Sequence, residues 1–393
     1  MNVKELLSAV KKFMTPQNMI ILLAVSTFLP YIFTAVYLLT LAAVVLATPQ
    51  LQRGLLSFRG AFLIPAFCAY AFLLALFRRN LAGLVIAPVF LLIMMVFCFV
   101  RRFITRETFE TALTAICFTV FPAFITAVVE AVMATQDNGL IYRCSSYFGN
   151  ANYFGAMMAA ILLICAYRIV SAHGRGLFYY IVGVTAVLCI YLSGSLFAII
   201  EVITGVALYL LFSKHYRLFC AMVIVGSLGI LLITALPELL PRLSESSMTT
   251  GYRVRIWGIA IREIKSHPLF GRGFMAYNEI KDLYEGSYVT VHGHNLMLDS
   301  LMNFGIVGTA LLFCMFYFLL RRVALCFRSD RNSTVVTLVI ALTGAVVAHS
   351  FTDITFFWIQ TGTFYMFFLG AIGCEERRLK IPPDYLIFGR YRI

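Results

Sequence analysis

Apolar runs near the length that crosses a bilayer recur from one end of this chain to the other, and no other feature constrains its fold as tightly. Twelve can be read, at 19–29, 31–47, 60–77, 81–100, 109–133, 151–167, 177–192, 196–212, 218–236, 296–320, 335–350 and 356–372. A helix needs about 20 residues to cross the hydrocarbon core. Backbone N–H and C=O groups in lipid must be bonded within their own segment, so each run reads as a helix. The fold class is therefore all-α, a polytopic membrane helix bundle of about 11–12 transmembrane helices with one long extracytoplasmic loop. The count turns on Pro30: a single kinked helix from Met19 to Ala47 would remove one span. The run 177–212 carries Ser193-Gly194-Ser195 at its middle, read as a hinge or tight turn.

Composition agrees. Of 393 residues, 61% are hydrophobic and 12% charged, against roughly 25% charged in a soluble domain. The net charge of +13 follows from Lys and Arg collecting in cytoplasmic loops, and no soluble basic domain is left to bind nucleic acid. Seven segments assigned to the inside hold 21 of the 31 basic residues, which places both termini in the cytoplasm of a multi-pass bacterial inner or plasma membrane protein. Met1–Asn18 is polar and basic, so no cleavable signal is expected. No CxxC pair or Cys/His spacing suggests a disulfide, a metal or a cofactor. The expected organisation is a transmembrane bundle over 1–236, an outer loop over 237–295, further transmembrane helices over 296–374 and a cytoplasmic tail over 375–393.

Residues 237–295 hold seven basic residues, against the inside bias, and six acidic ones. Within them Gly251–Pro268 reads as an amphipathic helix, with Val254, Trp257, Ile261 and Ile264 at helical spacing toward the membrane or bundle. Arg255 and Arg262 share another face. Pro268 ends the helix, Leu269–Phe274 form a glycine-rich turn around Arg272, and His292-Gly293-His294-Asn295 lead back into the membrane. This arrangement suits an anionic lipid substrate. Arginines give bidentate bonds to phosphate, tryptophan suits the interface, and a histidine at the membrane edge can take a proton near neutral pH. The same pattern also describes an interfacial anchor beside a structural histidine.

Charges within the spans are expensive and usually functional. Glu130, Glu201, Asp299, His349 and Asp353 are the candidates. Asp299 lies about one helical turn past His294 and is expected to orient it; His349 and Asp353, four apart, are expected to pair, for structure or for function.

The order of residues adds a resemblance. Arg253-x-x-x-Trp257, Pro268-x-x-Gly271-x-Gly273, His294-Asn295-x-x-Leu298 and Asn303-Phe304-Gly305-x-x-Gly308 follow one another across the long loop and the next helix. Together they resemble the signature of the O-antigen ligase and polysaccharide polymerase superfamily. Arg143 through Phe148-Gly149-Asn150-Ala151-Asn152 and His349 through Asp353 resemble further family segments, with Ala151 in place of a proline. The resemblance implies metal-independent glycan transfer from undecaprenyl diphosphate to a glycan or lipid-linked acceptor. It implies diphosphate binding by Arg253 and activation of the acceptor hydroxyl by His294. Arg255, Arg272 and Arg143 are added as phosphate contacts, with Trp257, Asn295, Asp299, His349 and Asp353 in support. Partners in polysaccharide assembly are expected as well. One departure stands out: where relatives carry Ser-Arg-Gly before a mid-chain helix, this chain has Ser193-Gly194-Ser195. The alternatives are a transporter or flippase using Glu201, His349 and Asp353, and a non-catalytic scaffold of envelope assembly.

Overall fold

A computed structural model describes residues 14–135, 142–171, 176–236, 246–285 and 287–382. Among them every regular element is helical. In chain order the main helices are α1 (Pro16–Ser26), α2 (Tyr31–Ala47), α3 (Leu63–Arg78), α4 (Leu81–Phe103), α5 (Arg106–Phe118), α6 (Val120–Thr135), α7 (Ala151–Val170), α8 (Gly176–Ser193), α9 (Leu196–Phe212), α10 (Tyr216–Ala235), α11 (Ser246–Ser266), α12 (Leu296–Ser329), α13 (Thr334–Ser350) and α14 (Ile359–Arg378). Among the described residues five helices are long and apolar enough to cross a membrane: α4, α5 with α6, α7, α8 and α12. Shorter apolar helices join them, and the chain is a polytopic helical membrane protein.

Three details sharpen the expected boundaries. Pro30 separates two helices that fold back on one another, since Thr34 donates to the Ser26 carbonyl (2.8 Å) and Tyr37 to that of Met19 (2.8 Å); a single kinked rod does not form there. The run 109–133 breaks at Thr119, whose hydroxyl turns back onto the Ile116 carbonyl. The helix expected to stop at 374 continues to Arg378 and buries Glu375 and Glu376. The last residues of the expected tail, 383–393, lie outside the described residues, as do 237–245 of the long loop.

Small residues let helices approach closely where lipid offers no hydrophobic drive. α14 lies along α4 with Gly370 against Val100 and Gly373 against the Arg101 carbonyl. At that end of the bundle the spans are tied by buried ions. Glu376 takes Arg101 (2.7 Å) and Arg322 (2.6 Å), Glu110 takes Arg106 (2.7 Å) and Arg168 (2.6 Å), and Glu375 meets the half-buried Arg106 (3.5 Å). Each charge is paired, which is the condition for ions to sit in a helix bundle. α7 forms a hub, packed by α8 and α9 with Gly155 against Ser195 and Ala198. The hub and the α13–α14 connection carry half of the candidate site, and the loop before α12 carries the other half.

Candidate functional site

The loop is built on α11. Ile256, Ile259, Ala260 and Glu263 recur at i, i+3, i+4 and i+7 and form its buried face, against Ala276, Tyr277, Ile280 and Met302. Trp257 and Ile264 pack at the edge of this cluster. Val254 and Ile261, expected on the same apolar stripe, are exposed. The inward face is set in part by Glu263, a buried carboxylate that accepts Arg272 Nε (2.6 Å) and the Tyr284 hydroxyl (3.0 Å) and meets His267 Nδ1 (2.7 Å). Burial pushes Glu263 up, but the hydrogen bonds from Arg272 and Tyr284 outweigh it and hold the carboxyl below its ordinary range.

Two of the motif segments serve to dock this loop. Gly305 interrupts α12 with a φ of 63°. The carbonyls of Pro268 and Leu269 accept the N–H groups of Ile306 and Val307 (2.8 and 3.1 Å), and Asn303 O accepts those of Arg272 and Gly273 (3.0 and 2.6 Å). A Cβ on Gly305 would overlap the Leu269 backbone, and one on Gly271 would lie 2.7 Å from Asn303 O. The Pro268–Gly273 turn therefore joins α12 backbone to backbone, and glycine is needed where the two approach. Tyr70 on α3 donates to Phe304 O (2.6 Å). Gly308 abuts the Tyr70 ring. Arg272, expected as a phosphate contact, has its charge balanced inside the loop by Glu263. Arg255 is exposed on α11.

So anchored, the loop brings His294 to Asp353, on the α13–α14 connection. His294 Nδ1 lies 3.2 Å from Asp353 Oδ1, and Nε2 lies 3.1 Å from Thr290 Oγ1. Asp353 is fully buried. Its Oδ2 accepts Asn152 Nδ2 (2.6 Å), and its Oδ1 also accepts Ile354 N (2.8 Å). Asn152 Oδ1 accepts Arg143 Nη2 (2.5 Å), and Arg143 Nε donates to Ser193 O (3.1 Å). A continuous polar chain thus runs from the Ser193 turn through α7 to His294. Burial pushes the Asp353 carboxyl up. The hydrogen bond from His294 and the fields of His292, His294 and His349 outweigh that and hold it well below the usual carboxylate range.

His292 sits beside this pair. Its Nδ1 accepts His294 N at 3.4 Å, so the ring proton belongs on Nε2, 3.4 Å from the Tyr153 hydroxyl and 3.6 Å from Asp353 Oδ1. Burial lowers its pKa to about 4, with Asp353 opposing and His294 adding to the shift, so the ring is neutral near pH 7. His292, His294 and Asp353 hold one ligand atom each within 4.8 Å of one another and are the described residues able to hold a metal ion. The His294–Asp353 distance is equally that of an imidazole hydrogen-bonded to a carboxylate, with His292 just beyond that range.

Several expected partnerships change. Asp299 does not orient His294; it accepts Gly293 N and Asn303 Nδ2 (both 2.7 Å) and fixes the turn before the histidine. The His349 ring does not bond the Asp353 carboxylate; its Nδ1 is held by Glu201 Oε2 at 2.7 Å, and the two residues meet only through the backbone, where Asp353 N donates to His349 O (3.1 Å). Asn295 caps α12 by accepting Met297 N and Leu298 N, and donates to Phe351 O (2.9 Å). Glu130 serves the loop after α6, accepting Ser145 N and Ser146 N. Arg253, half-buried, places its guanidinium 4.5 Å from the centre of the Phe197 ring. That ring lies 6.4 Å from His349, so Arg253 stands near the Glu201–His349 pair on the α9 side. Tyr153, Thr290 and His292 were not singled out from sequence. For His292 a signal existed, since residues two apart in an extended loop share a side.

No curated protein matches the chain. The stretch 181–313 runs from α8 through α11 and the His294 loop into α12 and holds both Arg253 and His294; it matches the family model described as O-Antigen ligase.

Proposed function

We propose that this chain is a glycosyltransferase that moves a glycan from undecaprenyl diphosphate onto a hydroxyl of a glycan or lipid-linked acceptor, in the assembly of cell-surface polysaccharide. The single observation that carries this is the His294–Asp353 pair at 3.2 Å, held by Asn152, with His294 in the stretch that matches the O-Antigen ligase family model. An ionised Asp353 accepts a hydrogen bond from Nδ1–H of His294, which keeps the ring proton there and leaves the Nε2 lone pair to act as base. The Thr290 hydroxyl at Nε2 marks the direction from which an acceptor hydroxyl would arrive.

In the proposed step the acceptor oxygen attacks the anomeric carbon and its proton passes to His294 Nε2. The carbon–oxygen bond to the diphosphate breaks with inversion, and Arg253 stabilises the charge on the leaving group. Arg143 bonds the Ser193 carbonyl, at the step where relatives carry an arginine in sequence, and would supply the missing cation there from a neighbouring loop. Asp299, Asn295, Trp257 and Arg272 would act by holding the loop in place. The excess of Lys and Arg in the other connections supports a site on the outer face of the membrane.

A transporter is the second reading, supported by the Glu201–His349 pair buried between α9 and α13. Purified protein in detergent, given a lipid-linked oligosaccharide and an acceptor with no ion gradient, separates the two. Transferred product is expected from an enzyme; protein that moves substrate across vesicles and yields no product would instead be a transporter.

A further inference from the structure

His292 and His294 stand at the end of the loop before α12, and Asp353 meets both from the α13–α14 connection. Asp353 Oδ1 lies 3.2 Å from His294 Nδ1 and 3.6 Å from His292 Nε2. The two rings are 4.3 Å apart between centres and inclined at 67°. One ligand atom from each of the three residues falls within 4.8 Å of the other two. Ligands about 2.1 Å from a tetrahedral ion stand roughly 3.4 Å from one another. The two edges to Asp353 therefore fit, and the third asks at most for a small swing of one ring. Asp353, fully buried, brings a negative charge to the centre. The histidine side chains keep 14% and 18% of their surface exposed, which leaves an ion a way in. Outer partners, which orient the ligands of a metal site, are in place as well. Asn152 Nδ2 and Ile354 N hold the carboxylate, and Thr290 Oγ1 lies 3.1 Å from His294 Nε2.

We propose that His292, His294 and Asp353 form a site for a divalent transition ion such as zinc, and that its occupancy switches the transfer off. Two imidazoles and one carboxylate suit such an ion better than magnesium, which prefers oxygen ligands and keeps its water. The switch rests on the base role of His294 proposed above. As base, His294 carries its proton on Nδ1 toward Asp353 and keeps the Nε2 lone pair free. An ion on Nδ1 moves that proton to Nε2, where the Thr290 hydroxyl accepts it. No lone pair is then left for an acceptor hydroxyl. His292 binds through Nε2 and moves its own proton to Nδ1. The contact given up is that with His294 N at 3.4 Å, at the long end of hydrogen bonding. Each ring keeps one proton throughout, so the exchange is balanced. The ion competes for the nitrogen that orients the base and not for the arginine proposed to hold the diphosphate. Its effect therefore falls on kcat rather than on KM for the donor.

The test is metal titration of the purified full-length protein in detergent, after treatment with a chelator. One equivalent of Co²⁺ should bind and be displaced by Zn²⁺ but not by a large excess of Mg²⁺. Its spectrum should show the visible bands of nitrogen and oxygen ligands without the near-ultraviolet band of a thiolate. Thr290→Val, which removes an outer partner, should weaken Zn²⁺ binding about tenfold, and loss of a ligand itself, in His292→Gln or Asp353→Asn, by at least about 10²-fold. His215→Gln, at an exposed residue just before α10, should change nothing. Absence of stoichiometric binding, a thiolate band, or unchanged affinity in both ligand variants would overturn the site. The wild-type spectrum decides this even where a variant fails to fold. In a transfer assay Zn²⁺ should lower kcat and leave KM for the donor unchanged. His292→Gln, whatever basal rate it keeps, should need at least about 10²-fold more Zn²⁺ for half inhibition. The two readings fail separately. Product formed by a protein that binds no zinc would refute the site and keep the enzyme. Zinc held by the three residues in a protein that makes no product without it would keep the site and refute the enzyme. Full activity of the zinc-loaded protein would refute the switch, and His294 as base with it.

Discussion

His294 holds a left-handed backbone (φ 48°), a conformation that strains a residue with a Cβ by about 1–3 kcal/mol. Strain of this kind persists where surrounding bonds over-determine it, and here Asp299 fixes the preceding glycine while Asp353 and Thr290 hold the ring. If Asp353 sets the tautomer of His294, then Asp353→Asn should lower product formation by about 10²–10⁴-fold. Added to His294→Ala it should lower it little further, because the two act as one unit. Additive losses in the combined variant would show that Asp353 acts elsewhere. His292 gives a separate, pH-dependent signature. The unfolded chain takes a proton at His292 below an ordinary pKa of 6.5, whereas the folded protein resists it down to about 4. Its contribution is therefore fully favourable above 6.5 and is lost as pH falls through that window, in all about 3 kcal/mol. Melting temperature followed from pH 7 to 4 should fall less steeply in His292→Gln; identical slopes would assign the loss to other groups. His294 itself could be picked out from sequence by its place at the membrane edge. Its partner could not, since Asp353 is distant in sequence and the nearer Asp299 has the more obvious helical spacing.

At the level of elements, the glycine motifs prove to be joints. Pro268–Gly273 and Asn303–Gly308 stood out as a signature, and the physics behind it is a turn seated in a broken helix, with Gly271 and Gly305 at closest approach. Gly305→Ala would put a methyl group on the Leu269 backbone and force a left-handed conformation that costs about 1–2 kcal/mol in itself. Faster proteolysis within 246–295 and a parallel loss of product are expected. Gly226→Ala on α10, where a Cβ meets nothing within 4 Å, should change neither. Unaltered proteolysis in Gly305→Ala would mean that the joint does not hold the loop. Sequence periodicity found α11 but only the edge of its inward face, Trp257 and Ile264, because apolar spacing says nothing of Glu263, which is drawn inside by Arg272 and Tyr284.

Across the whole molecule, the helical class and most spans followed from apolar run length, since lipid leaves the backbone few alternatives. Which spans touch did not follow. α7 became the hub through Gly155, and α14 the partner of α4 through Gly370 and Gly373; single small residues among many carry no mark of their neighbours. That assembly is what brings the long loop before α12, the Arg143 segment and the α13–α14 connection to one place, and the proposed chemistry requires all three. The most direct test is the amount of transferred glycan made by wild type, Arg253→Ala and His294→Ala at equal membrane abundance. Both substitutions should leave the protein in the membrane and reduce product by at least about 10²-fold. Wild-type levels of product from both would show that neither guanidinium nor imidazole takes part in the transfer.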